Sequence, residues 1–91
     1  MKGKTIITVI GADSIGIIAA VTGVLAEHRV NILDINQTIM QDFFTMIMLC
    51  DLSTSDIELS VLQDELEGVG KEKQVQIQAQ HEDIFTYMHR V

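Results

Sequence analysis

The sequence predicts an α+β sandwich with the element order β-α-β-β-α-β and a short helix at the end. Three observations lead there. Residues 4–10 and 43–50 are apolar or β-branched at nearly every position, as strands in the middle of a sheet are. Residues 31–40 and 74–80 alternate apolar and polar side chains, as edge strands do. Between these strands, residues 17–28 and 59–69 repeat their apolar positions at helical spacing.

The first strand, KTIITVI, ends at Gly11. The loop Gly11-Ala12-Asp13-Ser14-Ile15-Gly16 follows, where Asp13 or Ser14 can cap the next helix with a side-chain oxygen. In that helix Ile17, Val21, Val24 and Leu25 share one stripe. Gly23 inside it costs up to about 1 kcal/mol against Ala, so close packing against the sheet is expected there. In the second strand Leu33, Ile35 and Ile39 share one face and Asp34, Asn36 and Thr38 the other, a half-buried pattern. Gln41-Asp42 makes a turn into the third strand, FFTMIMLC. Ser55 followed by Glu58 fits a capping box for the second helix. Leu59, Leu62, Leu66 and Val69 form its stripe, and Gly68 or Gly70 is expected to end it. In QVQIQAQ the inward residues are Val75, Ile77 and Ala79. Residues 81–91 place Ile84, Tyr87 or Met88, and Val91 on one side of a short helix.

Right-handed crossovers and the apolar pattern then give a four-stranded antiparallel sheet of order 4-1-3-2. This is the ferredoxin-like arrangement, with two helices on one face. The other face needs cover, from the terminal helix or from a second subunit, so a homo-oligomer and most simply a two-fold dimer is expected.

At 91 residues the chain is expected to be one domain, a 4–80 core with an 81–91 helix. About 64% of its surface can be buried, enough for one core. The 47% hydrophobic content argues against disorder. The longest apolar run, residues 15–21, is far short of the roughly 20 residues a spanning helix needs. No signal peptide is evident, so a cytoplasmic location is expected. The lone Cys50 excludes an internal disulfide framework and reads as a reduced, buried small hydrophobe. Six Lys and Arg against thirteen Asp and Glu give a net charge of −7. That leaves too few cations for a phosphate-binding face, so nucleic acid and anionic membrane are poor partners.

Several chemistries fail on spacing. The 11–16 loop spaces two glycines like a phosphate loop, but Ile17 and Ile18 stand where Lys and Ser or Thr are required. What remains is either a plain strand-to-helix turn or a helix start that accepts a carboxylate or other small anion. His81-Glu82-Asp83-Ile84-Phe85 begins like a zinc-protease helix, but position 85 is Phe, and no metal site is expected. The acids 56, 58, 64, 65 and 67 read as a solvated helix face rather than a general acid and base. Ser14 has no identifiable base beside it. An acyl-phosphatase reading wants an Arg in the first loop, and the only arginines are Arg29 and Arg90. Neither a catalytic residue nor a cofactor is expected.

Gly11-x-Asp13-x-x-Gly16-Ile17-Ile18-Ala19-x-Val21, Leu25-Ala26-Glu27 and Val30-Asn31-Ile32 resemble the signature of the ACT domain family. The likeness covers nearly the whole chain, and is narrower still to stand-alone single-domain ACT proteins and to the ACT modules of the glycine cleavage system transcriptional repressor. The resemblance implies a non-catalytic regulatory domain that binds a small molecule, usually an amino acid, at a dimer interface. Carried over, the ligand-binding positions are Ala12, Asp13, Ser14, Ile15, Gly16 and Ile17, with Asn31 from the neighbouring subunit. Serine-sensing members place His and Asn where this chain has Gly11 and Asp13, and Asp13 suits an ammonium group or a cation. The alternative is a ligand-free protein interaction module using the open sheet face and the terminal helix.

Overall fold

A computed structural model describes residues 3–12 and 16–83. The elements are β1 (Lys4–Gly11), α1 (Ile17–Glu27), β2 (Asn31–Met40), β3 (Phe43–Asp51), α2 (Leu59–Lys73) and β4 (Gln76–His81). They form one four-stranded sheet in the order β2-β3-β1-β4, with every neighbouring pair antiparallel. Element order, sheet order and the ferredoxin-like class agree with the expectation.

Register explains the layers. Thr5, Ile7 and Val9 of β1 stand opposite Cys50, Met48 and Met46 of β3, and all are buried. Ala79 of β4 is opposite Ile7 and is buried with them. Ile17, Val21 and Leu25 of α1 and Leu62 and Leu66 of α2 close the core from above. The other face carries Ile6, Thr8 and Ile10 of β1 beside Leu49, Ile47 and Thr45 of β3, none of them buried. It is the open face that the two-sided apolar strands imply.

Several local expectations are corrected. β2 is not half-buried: apart from Ile32 it is exposed along its length, with Ile39 at 70%. Ile35 and Ile39 do register with core residues Met48 and Phe44, but the helix layer stops short of them. Leu33 is the extra residue of a bulge and does not continue that row. Gly23 is exposed, and a Cβ there would meet nothing within 4 Å, so it does not pack on the sheet. The capping box does not form. The Ser55 hydroxyl instead accepts the Ile57 N–H at 3.1 Å, and Glu58 occupies the N-cap position without a side-chain cap bond. α2 also runs through Gly68 and Gly70 to Lys73, ending where Gln74 turns left-handed (φ 59°). β4 consequently starts at Gln76 and extends to His81. Of the expected 81–91 helix, Glu82 and Asp83 are helical and residues 84–91 lie outside the described residues.

Candidate functional site

The end of β1, the start of α1 and the α2–β4 junction meet at one corner. Gly11 is packed so closely that a Cβ would overlap the Val75 side chain. Gly70 is held the same way, since a Cβ there would stand 2.7 Å from the Val75 carbonyl oxygen. The Val75 N–H donates to the Gly70 carbonyl at 2.9 Å. These contacts fix the last turn of α2 against the strand that feeds the loop.

Gly16 is the N-cap of α1, with φ 75° and no side-chain cap bond. That left-handed conformation favours glycine. The first α1 bond runs from the Ala20 N–H to the Gly16 carbonyl at 3.0 Å. The N–H groups of residues 17–19 therefore lack intrahelical acceptors and present the positive end of the helix dipole. Ile17 is a core side chain, so only its backbone is available. Ala12 and Gly16 are exposed.

Sequence reasoning missed Lys73. Its Nζ lies 3.6 Å from where a Cβ at Gly16 would stand, and it makes no ion pair with another described residue. An ammonium and a helix start thus stand side by side, a pairing that suits a carboxylate. The signal was present as two lysines, Lys71 and Lys73, in the last turn of α2. Only the tertiary fold shows that this turn ends beside Gly16.

Gly16 and Ile17 form the start of α1, and Ala12 directly follows the last residue of β1. Asp13, Ser14 and Ile15 lie outside the described residues. Asn31 is exposed at the opposite end of the sheet, opposite Asp51, whereas Gly11 is in the row of Phe44 and Ile39. Within one chain Asn31 cannot reach the loop. About seven residues of β3 separate the two rows, roughly 23 Å.

Among the described residues no group of three His, Cys, Asp or Glu is placed to hold a metal ion. Burial pushes the Cys50 thiol up to about 11, away from nucleophilic or redox use. The Asp51 carboxyl is held below the usual range, chiefly by the Ser53 N–H that donates to it at 2.9 Å. It ties the end of β3 to the following turn. Among the described residues no helix is long and apolar enough to cross a membrane.

The ferredoxin-like sandwich with a glycine-led first loop defines a class, and comparison with known proteins narrows it. The profile of the ACT domain matches residues 4–80, and the chain belongs to that family. A UPF0237 protein of Methanocaldococcus jannaschii is 51% identical over 88 residues, spanning 97% of this chain and 98% of the relative. The structure of an ACT domain protein from Streptococcus pneumoniae superposes with a TM-score of 0.81 at 39% identity, covering 93% and 96% of the two chains. A protein described as a glycine cleavage system transcriptional repressor shares the fold, with a TM-score of 0.73 at 20% identity over 87% of this chain and 46% of that one. ACT domains are in general regulatory ligand-binding modules.

Proposed function

We propose that the chain is a non-catalytic, cytoplasmic regulatory domain that binds an amino acid as a homodimer. The carrying observation is the uncapped, glycine-led start of α1 with the Lys73 ammonium beside it. A ligand carboxylate there meets backbone N–H groups, a dipole end and a cation together. Asp13 supplies the counter-charge for the ligand's ammonium group.

The dimer supplies Asn31. Among the described residues β2 pairs only with β3, leaving its outer edge open, and Ile35 and Ile39 are exposed on its helix-side face. A two-fold pairing of this edge runs the two β2 strands antiparallel. The partner's Asn31 then comes to the Met40 end of β2, the same end as Gly11 and Gly16. The expected Asn31 contact thus requires a partner, as the resemblance implies.

Titration calorimetry with the twenty amino acids and common divalent cations tests the reading. One amino acid is expected to bind, and Lys73→Gln is expected to weaken it roughly 5-fold at low salt, the scale of an exposed charge interaction. Equal affinity in Lys73→Gln removes that lysine from the site. Silence across the amino acids removes the ligand class. The second reading, a ligand-free interaction module, draws on the exposed Met40, Phe43 and Ile47.

A further inference from the structure

An open sheet offers the unpaired N–H and C=O groups of its outer strands to any further strand. Here the outer strands are β2 and β4, and among the described residues β4 pairs only with β1. The two edges are not equivalent.

One side-chain bond shows which groups of β4 face outward. Gln63 of α2 donates from Nε2 to the Ala79 carbonyl at 2.6 Å, so that carbonyl points to α2 and away from β1. Within a strand the N–H and C=O of one residue point to the same side, and the side alternates along the chain. The outward set is therefore Val75, Ile77 and Ala79, while Gln76, Gln78 and Gln80 turn to β1. Gly70 agrees independently: a Cβ there would stand 2.7 Å from the Val75 carbonyl oxygen and 3.7 Å from the Ile77 nitrogen.

α2 thus runs along the outward row and occupies it at both ends. The Gly70 turn lies on Val75 and Ile77 so closely that a side chain there would collide. Eight residues away along the chain of α2 and β4, the Gln63 amide takes the acceptor that a docking strand would need at Ala79. Between them the edge borders a shallow hollow lined by Glu67 and Lys71, an i,i+4 ion pair at 3.6 Å. Charges beside an edge deter strand pairing. An added strand would lie about 4.8 Å from β4, where the Gln63 side chain and the Gly70 turn already stand. β2 differs. Apart from Ile32 it is exposed along its length, and its Ile35 N–H is held at 2.9 Å by the Asp34 carboxylate, a bond within one strand that a pairing strand can replace.

We propose that Gln63 and Gly70 seal the β4 edge against strand addition by a second copy of this chain, so that copies pair through β2 alone and assembly stops at two. With both edges open, copies would pair β2 to β2 and β4 to β4 and grow without closure. The seal rests on contacts within one chain; the limit of two rests on the β2 pairing of the proposed function.

Sedimentation of the full-chain variant Gln63→Ala tests this. Gln63 is exposed on α2 and Ala is the better helix former, so the fold is retained, as far-ultraviolet dichroism will show. As concentration rises, the wild-type mass is expected to level off at the dimer and that of Gln63→Ala to reach at least about twice that value. Amide exchange at Ala79 is expected to slow with concentration in the variant alone. With Ile39→Asp added to disable the β2 edge, Gln63→Ala is expected to form dimers through β4. Equal masses for wild type and Gln63→Ala overturn the seal, as does a rise in mass that leaves Ala79 exchange unchanged. A wild type that stays monomeric while Gln63→Ala dimerises supports the seal and refutes the β2 pairing instead.

Discussion

Two glycines on α2 make opposite predictions for the same substitution. Gly68 is exposed, and a Cβ there meets nothing within 4 Å. Gly70, two residues on, is buried, and its Cβ would stand 2.7 Å from the Val75 carbonyl oxygen. Replacing an interior helical Gly by Ala gains up to about 1 kcal/mol from propensity at either position. For Gly68→Ala that gain is realised, and the midpoint of thermal unfolding rises by roughly 4–8 °C. At Gly70 the obstacle is backbone, and Val75 is also tied to Gly70 by its own N–H. Forcing that junction open costs about 1–3 kcal/mol, as other overpacked sites do. The propensity gain offsets part of this, so Gly70→Ala is neutral to about 2 kcal/mol destabilising. Urea unfolding of the two variants reads the difference directly. If Gly70→Ala is as stable as Gly68→Ala, the interlock of α2 with β4 is wrong, and with it the placement of Lys73.

Other predictions follow from burial and pairing. Ile39→Asp puts a charge on the free β2 edge and should raise the dimer dissociation constant at least tenfold in sedimentation (about 1.4 kcal/mol); an unchanged constant places the interface elsewhere. The His28 Nε2 to Glu65 Oε1 bond of 2.9 Å joins α1 to α2, and a double-mutant cycle should give a coupling of about 1 kcal/mol. A coupling of zero would mean that the bond adds nothing to the helix layer. Cys50 should ignore thiol reagents at pH 8 until the protein unfolds. Its raised thiol value also means that the folded state holds a proton that the unfolded state loses first. Stability is therefore full below the ordinary thiol range and falls as pH rises toward about 11. Cys50→Ala should flatten that alkaline slope.

The fold was legible because its signals are periodic. β1 and β3 read as central from their two-sided apolar character, and the glutamine alternation of β4 marked an edge. Helix ends were less legible because local chemistry competes. Ser55 spends its oxygen on Ile57 rather than on a helix start, and Gln74 rather than a glycine takes the left-handed turn. The alternation in β2 says that one face seeks cover but not whose. Ile35 and Ile39 are uncovered within the chain, which is what an association strand presents. Ala12, Gly16 and Ile17 were legible as a loop motif. Lys73 was not, because 57 residues separate it from Gly16 and only the packing of Gly11 and Gly70 on Val75 brings them together.

The central claim is a site shared between two chains, and complementation tests it most directly. Lys73→Gln and Asn31→Ala each impair every site of their own homodimers. In a mixed dimer one site regains both an intact Lys73 and the partner's intact Asn31. Random mixing makes half the dimers mixed, so calorimetry with the bound amino acid should resolve a class of sites with wild-type affinity amounting to about a quarter of all sites. Recovery near that level supports a two-chain amino-acid site. No recovery beyond the two variants measured separately, while mixed dimers demonstrably form, contradicts it.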